Sequence, residues 1–125
     1  MSRYKQQGFN NTFKNARKGF NLALKSEINI RVHIIVATLV ILAAIYLKFT
    51  SVEFCIVLFA IALVICCEML NTAIEFALDS IYHNKYSRMV GMAKDISAGA
   101  VMFATVVSVC IGLILYGSKI LELLG

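Results

Sequence analysis

The sequence predicts an all-α integral membrane protein, an amphipathic N-terminal surface helix plus three transmembrane helices, forming a single membrane domain over residues 1–125. Composition is the first ground for this. Apolar residues make up 60% of the chain and its mean hydropathy is +0.81, more apolar material than a soluble domain of this size can cover. Charge is the second ground: Lys and Arg outnumber Asp and Glu by 12 to 7, a net +5, and seven of the basic residues precede position 32. The third is the gathering of apolar residues into three runs, each close to the length that crosses a bilayer once its helical flanks are counted.

Residues 1–31 hold no continuous apolar run, which argues against a cleavable signal peptide of the usual form. Instead Phe9, Phe13, Ala16, Phe20, Ala23 and Leu24 recur at helical spacing, with Lys14, Arg17, Lys18, Lys25 and Arg31 supplying a cationic side. A surface helix over residues 8–26 would therefore lie along the membrane, held by apolar burial and by anionic headgroups of membrane lipids. A plain basic flank is the alternative. Nucleic acid is a poor partner for these charges, because they are tethered directly to a hydrophobic hairpin and no recognised motif accompanies them.

Span one covers residues 29–48 and is strictly apolar from Ile34 to Leu47 except for Thr38. The turn from Lys48 to Glu53 is short, so the next helix returns antiparallel. Span two covers 54–79, with a cytoplasmic extension. Its apolar part, Phe54 to Cys67, reaches only about 21 Å and needs roughly six more residues to cross about 30 Å of hydrocarbon. Glu68 thus falls several residues inside the boundary. A polar connection from Ser80 to Lys94, containing His83, Lys85 and Arg88, leads to span three over 95–116. On that helix Ala100, Ala104, Ser108 and Gly112 are spaced by four and suit close helix packing. Cys55, Cys66, Cys67 and Cys110 all lie in apolar runs without a Cys-x-x-Cys pair and read as core or lipid-facing residues. The basic excess of the N-terminal region and second loop places both in the cytoplasm and the C terminus outside, as a multi-pass protein of a cell membrane.

The chain is organised around Cys67 to Asp79, which continues from the apolar run at Phe54 with no proline, glycine or turn signal between. At about 100° per residue, Glu68, Asn71, Thr72, Glu75 and Asp79 share a sector of about 100°, while Met69, Ile74, Phe76 and Ala77 lie largely away from it. Three carboxylates on one stripe need cations, protons or donors opposite them. Glu27 starts span one, Glu68 and Glu75 end span two, and Lys94 with Asp95 starts span three, so the polar groups converge at one depth. Ion pairing of Glu27, Glu75, Asp79 and Asp95 with nearby Lys and Arg is the ordinary alternative. Glu68 is the least suited to it, because a charge at membrane depth is expensive. Asn71 could equally act as interhelical glue.

Two carboxylates that approach one another can hold Mg²⁺ through oxygen while leaving positions for phosphate oxygens. A lysine beside them can meet phosphate charge, and a third carboxylate can accept a hydroxyl proton during phosphoryl transfer. From spacing alone, a proton-coupled carrier or a small membrane scaffold stands beside a kinase.

At these residues the chain resembles the prokaryotic diacylglycerol kinase and undecaprenol kinase family of small integral-membrane lipid kinases. The matching stretches are Glu68-Met69-Leu70-Asn71-Thr72-Ala73-Ile74-Glu75 and Ala93-Lys94-Asp95-Ile96-Ser97-Ala98-Gly99-Ala100, with Gly19 and Glu27-Ile28-Asn29-Ile30-Arg31-Val32-His33 upstream. There is no Walker A motif. The resemblance implies a homotrimer with shared active sites, Glu68 as catalytic base, Glu27 and Glu75 as Mg²⁺ ligands, Lys94 and Asp95 as contacts to ATP, and Asn71 as a residue arranging the site. The Asn-Thr-Ala-Ile-Glu form, with Asn29 and His33, looks more like the undecaprenol kinases of Gram-positive bacteria than the diacylglycerol kinases of Gram-negative bacteria. In the enterobacterial form a tyrosine lies near the place held here by Asn15, and the loop from Ser80 to Arg88 is one residue longer here. The implied reaction is ATP-dependent phosphorylation of a lipid alcohol, undecaprenol, to undecaprenyl phosphate. Diacylglycerol phosphorylation to phosphatidic acid is the alternative.

Overall fold

The computed structural model describes residues 8–125, so Arg3 and Lys5 of the basic flank lie outside the described residues. Four helices follow one another: α1 Phe9–Ser26, α2 Ile28–Tyr46, α3 Ser51–Tyr82 and α4 Arg88–Leu124. Among the described residues the regular structure is all helical, and α2, α3 and α4 are each long and apolar enough to cross a membrane. It is a multi-pass membrane protein.

The corner between α1 and α2 is a single residue. Glu27 has extended backbone (φ −121°, ψ 118°), closes α1 and opens α2. Its N–H still donates to the Ala23 carbonyl, and the Arg31 guanidinium donates to the carbonyls of Leu24 and Lys25 at 3.1 Å each. Carbonyls left open at the end of α1 are thereby satisfied from the first turn of α2. Ala23 is the buried residue of α1, whereas Phe9, Phe13 and Phe20 are exposed. That uncovered aromatic face is what a helix lying on a bilayer presents.

At the other end of α2, Lys48 adopts a left-handed conformation (φ 58°) and reverses the chain. Thr50 then caps α3: the Glu53 N–H donates to Thr50 Oγ1 at 3.2 Å, and the Thr50 N–H donates to Glu53 Oε1 at 2.8 Å. This reciprocal pair starts the helix three residues before the apolar run. Lys119 Nζ reaches the same Glu53 oxygen at 3.0 Å, the Phe49 and Tyr116 rings stand 4.7 Å apart, and the Tyr116 hydroxyl donates to the Val40 carbonyl. Loop and third span are tied together there.

The expected polar connection is shorter in the structure. His83 and Asn84, both with positive φ, end α3, and Ser87 caps α4 by accepting from the Val90 N–H at 3.2 Å. Arg88 and Lys94 consequently ride on the first turns of α4, whose 37 residues extend about 55 Å, well beyond a hydrocarbon layer of about 30 Å.

Helix α3 is the centre of the bundle, packing most extensively on α4 and also on α2, with α1 resting against α2 and α3. The buried apolar residues are mostly small: Ala37 and Ala44 on α2, Val57, Ala60 and Val64 on α3, Ala104 on α4. Of the small-residue row on α4, Ala104 is buried and the Ser108 hydroxyl donates to the Ala60 carbonyl at 3.2 Å, while Ala100 is exposed. Large side chains such as Leu39, Phe59 and Phe103 face outward. All four cysteines are free.

Candidate active site

Along the last half of α3 the polar side faces inward. Glu68 and Thr72 are buried, Asn71, Glu75 and Asp79 are half-buried, and Leu70, Ile74 and Phe76 are exposed. A helix in lipid takes this inverted pattern because each charge must meet protein or water rather than hydrocarbon.

Glu68 sits deepest, with 7% of its side chain exposed. Its Oε1 lies 3.4 Å from His33 Nε2 on α2, and its backbone carbonyl accepts from the Thr72 hydroxyl at 3.0 Å. One turn on, Asn71 Oδ1 is buried without a hydrogen-bond partner, an acceptor oxygen waiting for a donor or a cation. Two turns beyond that, Asp79 Oδ1 accepts from Lys94 Nζ at 2.7 Å, and the Glu75 carboxylate adds its field at the same ammonium. For Asp79 the ion pair expected as the ordinary alternative is therefore what forms. Lys94, expected to meet ATP, has Asp79 as its partner.

Glu27 stands half-buried at the α1–α2 corner, and Asp95 is exposed on α4 beside Lys94. Neither has an ion-pair partner among the described residues. The contact between His33 and Glu68 registers α2 against α3. Counting outward from it, Glu27 precedes His33 by six residues and Glu75 follows Glu68 by seven, so both lie beyond that contact toward the same end of the antiparallel hairpin. Among the described residues no three His, Cys, Asp or Glu side chains converge into an all-protein metal cage. Mg²⁺ does not require one, since it is usually held by one or two carboxylates together with substrate phosphates and water. Glu27 and Glu75, the residues expected to hold it, offer carboxylate oxygen, the donor type that Mg²⁺ takes.

Sequence reasoning named His33 within a matching stretch and as a mark of the undecaprenol kinase form, but gave it no chemical role. A signal was present, because an ionisable side chain within an apolar span is itself a pointer to a site.

A family model described as prokaryotic diacylglycerol kinase matches residues 14–116. The chain belongs to this family. Among the family's curated members, a diacylglycerol kinase of Synechocystis is 32% identical over 101 residues, 81% of this chain and 58% of that protein. The chain thus spans less than two thirds of that relative's length. An undecaprenol kinase of Bacillus subtilis is 31% identical over 112 residues, 90% of each chain, and a diacylglycerol kinase of Escherichia coli is 31% identical over 92 residues, 74% of this chain and 75% of that one. The region matched by the family model takes in Glu27, His33, the whole α3 stripe, Lys94 and Asp95, and stops before the Glu53 partner Lys119.

Proposed function

We propose that this chain is an ATP- and Mg²⁺-dependent lipid kinase that phosphorylates undecaprenol to undecaprenyl phosphate at the cytoplasmic membrane interface. The observation that carries the proposal is a buried carboxylate beside a cleft made for hydrocarbon. A cavity of about 610 Å³ runs between α2, α3 and α4, lined by Val36, Val40, Ile61, Val109 and Tyr116, with His33, the neighbour of Glu68, also in its wall. A long apolar chain in that cleft would bring its alcohol to Glu68. The apolar lining speaks against a water-filled proton path, and a nonenzymatic scaffold would have no use for a buried carboxylate.

In the proposed reaction the lipid hydroxyl oxygen forms a bond to the γ-phosphorus of ATP, the bond from that phosphorus to the ADP oxygen breaks, and Glu68 takes the hydroxyl proton. Glu27 and Glu75 would hold Mg²⁺, which neutralises phosphate charge when bound. Lys94 and Asp95 would contact the nucleotide, and Asn71 would arrange the site. Assembly with further copies, proposed as a homotrimer whose active sites are shared, would complete the enclosure of a polar cluster carried by only three spans. The basic residues of α1 and of the α3–α4 connection support a cytoplasmic N terminus and an outer C terminus.

Undecaprenol is favoured over diacylglycerol because the relative named undecaprenol kinase aligns over 90% of both chains. The diacylglycerol kinase of Synechocystis supports the second reading. Purified protein assayed in parallel with undecaprenol and diacylglycerol, with and without Mg²⁺ and ATP, separates them. Product from undecaprenol only when both Mg²⁺ and ATP are present is expected. Product from diacylglycerol alone would replace the substrate, and no product from folded protein would remove the kinase reading.

A further inference from the structure

We propose that His33 is a positioning residue for phosphoryl transfer: its Nε2, 3.4 Å from Glu68 Oε1, closes to a hydrogen bond in the reacting complex and fixes the carboxylate so that the other oxygen meets the lipid hydroxyl. This rests on the reading of Glu68 as the base. A carboxylate with 7% of its side chain exposed needs a partner, because a buried charge without one is strongly destabilising. The described residues provide Glu68 with a single side-chain partner, His33 at 3.4 Å. The neighbouring polar groups on α3 are not substitutes: the Thr72 hydroxyl donates to the Glu68 backbone carbonyl, and the Asn71 acceptor has no partner of its own.

At 3.4 Å the pair is in contact but short of a formed hydrogen bond, and catalytic pairs that are loose without ligands tighten in the reacting complex. His33 is placed to respond. Its side chain is 26% exposed and forms part of the cleft wall, so whatever fills the cleft presses on the imidazole and, through it, on Glu68. Orientation of a base matters at this level, since a misplacement of about 1 Å can cost about a hundredfold in rate.

The test is single-turnover and steady-state lipid phosphorylation by the full chain in a bilayer. His33→Leu removes the donor at similar bulk and is expected to lower kcat about 10- to 100-fold, the range for a hydrogen bond to a charged group, while leaving the KM for Mg²⁺-ATP unchanged. His33→Gln, whose amide nitrogen reaches about as far as Nε2, recovers most of that loss. The shorter His33→Asn does not. In a Glu68→Gln background His33→Leu produces no further loss, because the group it acts through is gone. A His33→Leu enzyme with wild-type kcat, equal activities of the Gln and Asn variants, or a full additional loss in the double variant overturns the proposal. Should His33→Leu fail to fold, the Gln and Asn pair decides alone. Near-wild-type turnover by Glu68→Gln would instead remove the base reading itself, whereas an inactive Glu68→Gln beside a fully active His33→Leu removes only the role given to His33.

Discussion

At the scale of single residues, the α3 stripe separates into groups with different work. Glu68 is enclosed and touches an imidazole, whereas Glu75 stands near Lys94 and Glu27 lies half-buried at the α1–α2 corner. Glu68→Gln keeps shape and volume, so assembly and nucleotide binding are expected to survive while single-turnover phosphorylation falls by about 10²- to 10⁴-fold, the usual worth of a general base. Added Mg²⁺ does not restore it. Glu27→Gln and Glu75→Gln remove a hard anionic oxygen instead, and their activity curves should move to higher Mg²⁺ with partial recovery at saturation. A Mg²⁺ titration unchanged in both variants would take away their role as ligands.

At the scale of elements, the contact between α3 and α4 holds the site together because Lys94 is brought to Asp79 from the first turns of α4. That contact is close where the side chains are small. Ala104 is buried and Ser108 donates across to the Ala60 carbonyl, so the two helices approach closely there. Ala104→Leu is expected to overpack this junction and destabilise the fold by about 1–3 kcal/mol. Unfolding in mixed micelles monitored by circular dichroism measures it, with Ala100→Leu, on an exposed position, as the control expected to change little. Equal stabilities of the two variants would mean that α4 packs through another face.

For the whole molecule, exposure is the governing feature. Leu39, Phe59, Met102 and Phe103 are all uncovered in one copy, and lipid or further copies must cover them. If sites are shared within the proposed trimer, mixing inactive Glu68→Gln chains with inactive Glu75→Gln chains restores part of the activity, because some sites draw each intact carboxylate from a different subunit. Activity of mixtures reconstituted at varying ratios checks this. Mixtures as inactive as their components, with cross-linking showing trimers, would place Glu68 and Glu75 of one site on the same chain.

Much of this was legible in the residues themselves. The apolar runs dictated three membrane helices, and the 100° sector from Glu68 to Asp79 dictated that the carboxylates share a face, because helical periodicity is a local property of the chain. Thr50 and Glu53, read from the sequence as part of the turn, instead form the capping box that starts α3. The length of α4 was less legible, since Ser87 and the left-handed His83 and Asn84 decided where the second connection begins and ends. Pairing between helices was legible only as a class, an ion pair for Asp79 with some nearby Lys or Arg. Only the tertiary structure chose Asp79 as the partner of Lys94 and put His33 beside Glu68, because contacts between residues 15 and 35 positions apart depend on how α2, α3 and α4 are registered against one another, and that register is set by packing rather than by any local pattern.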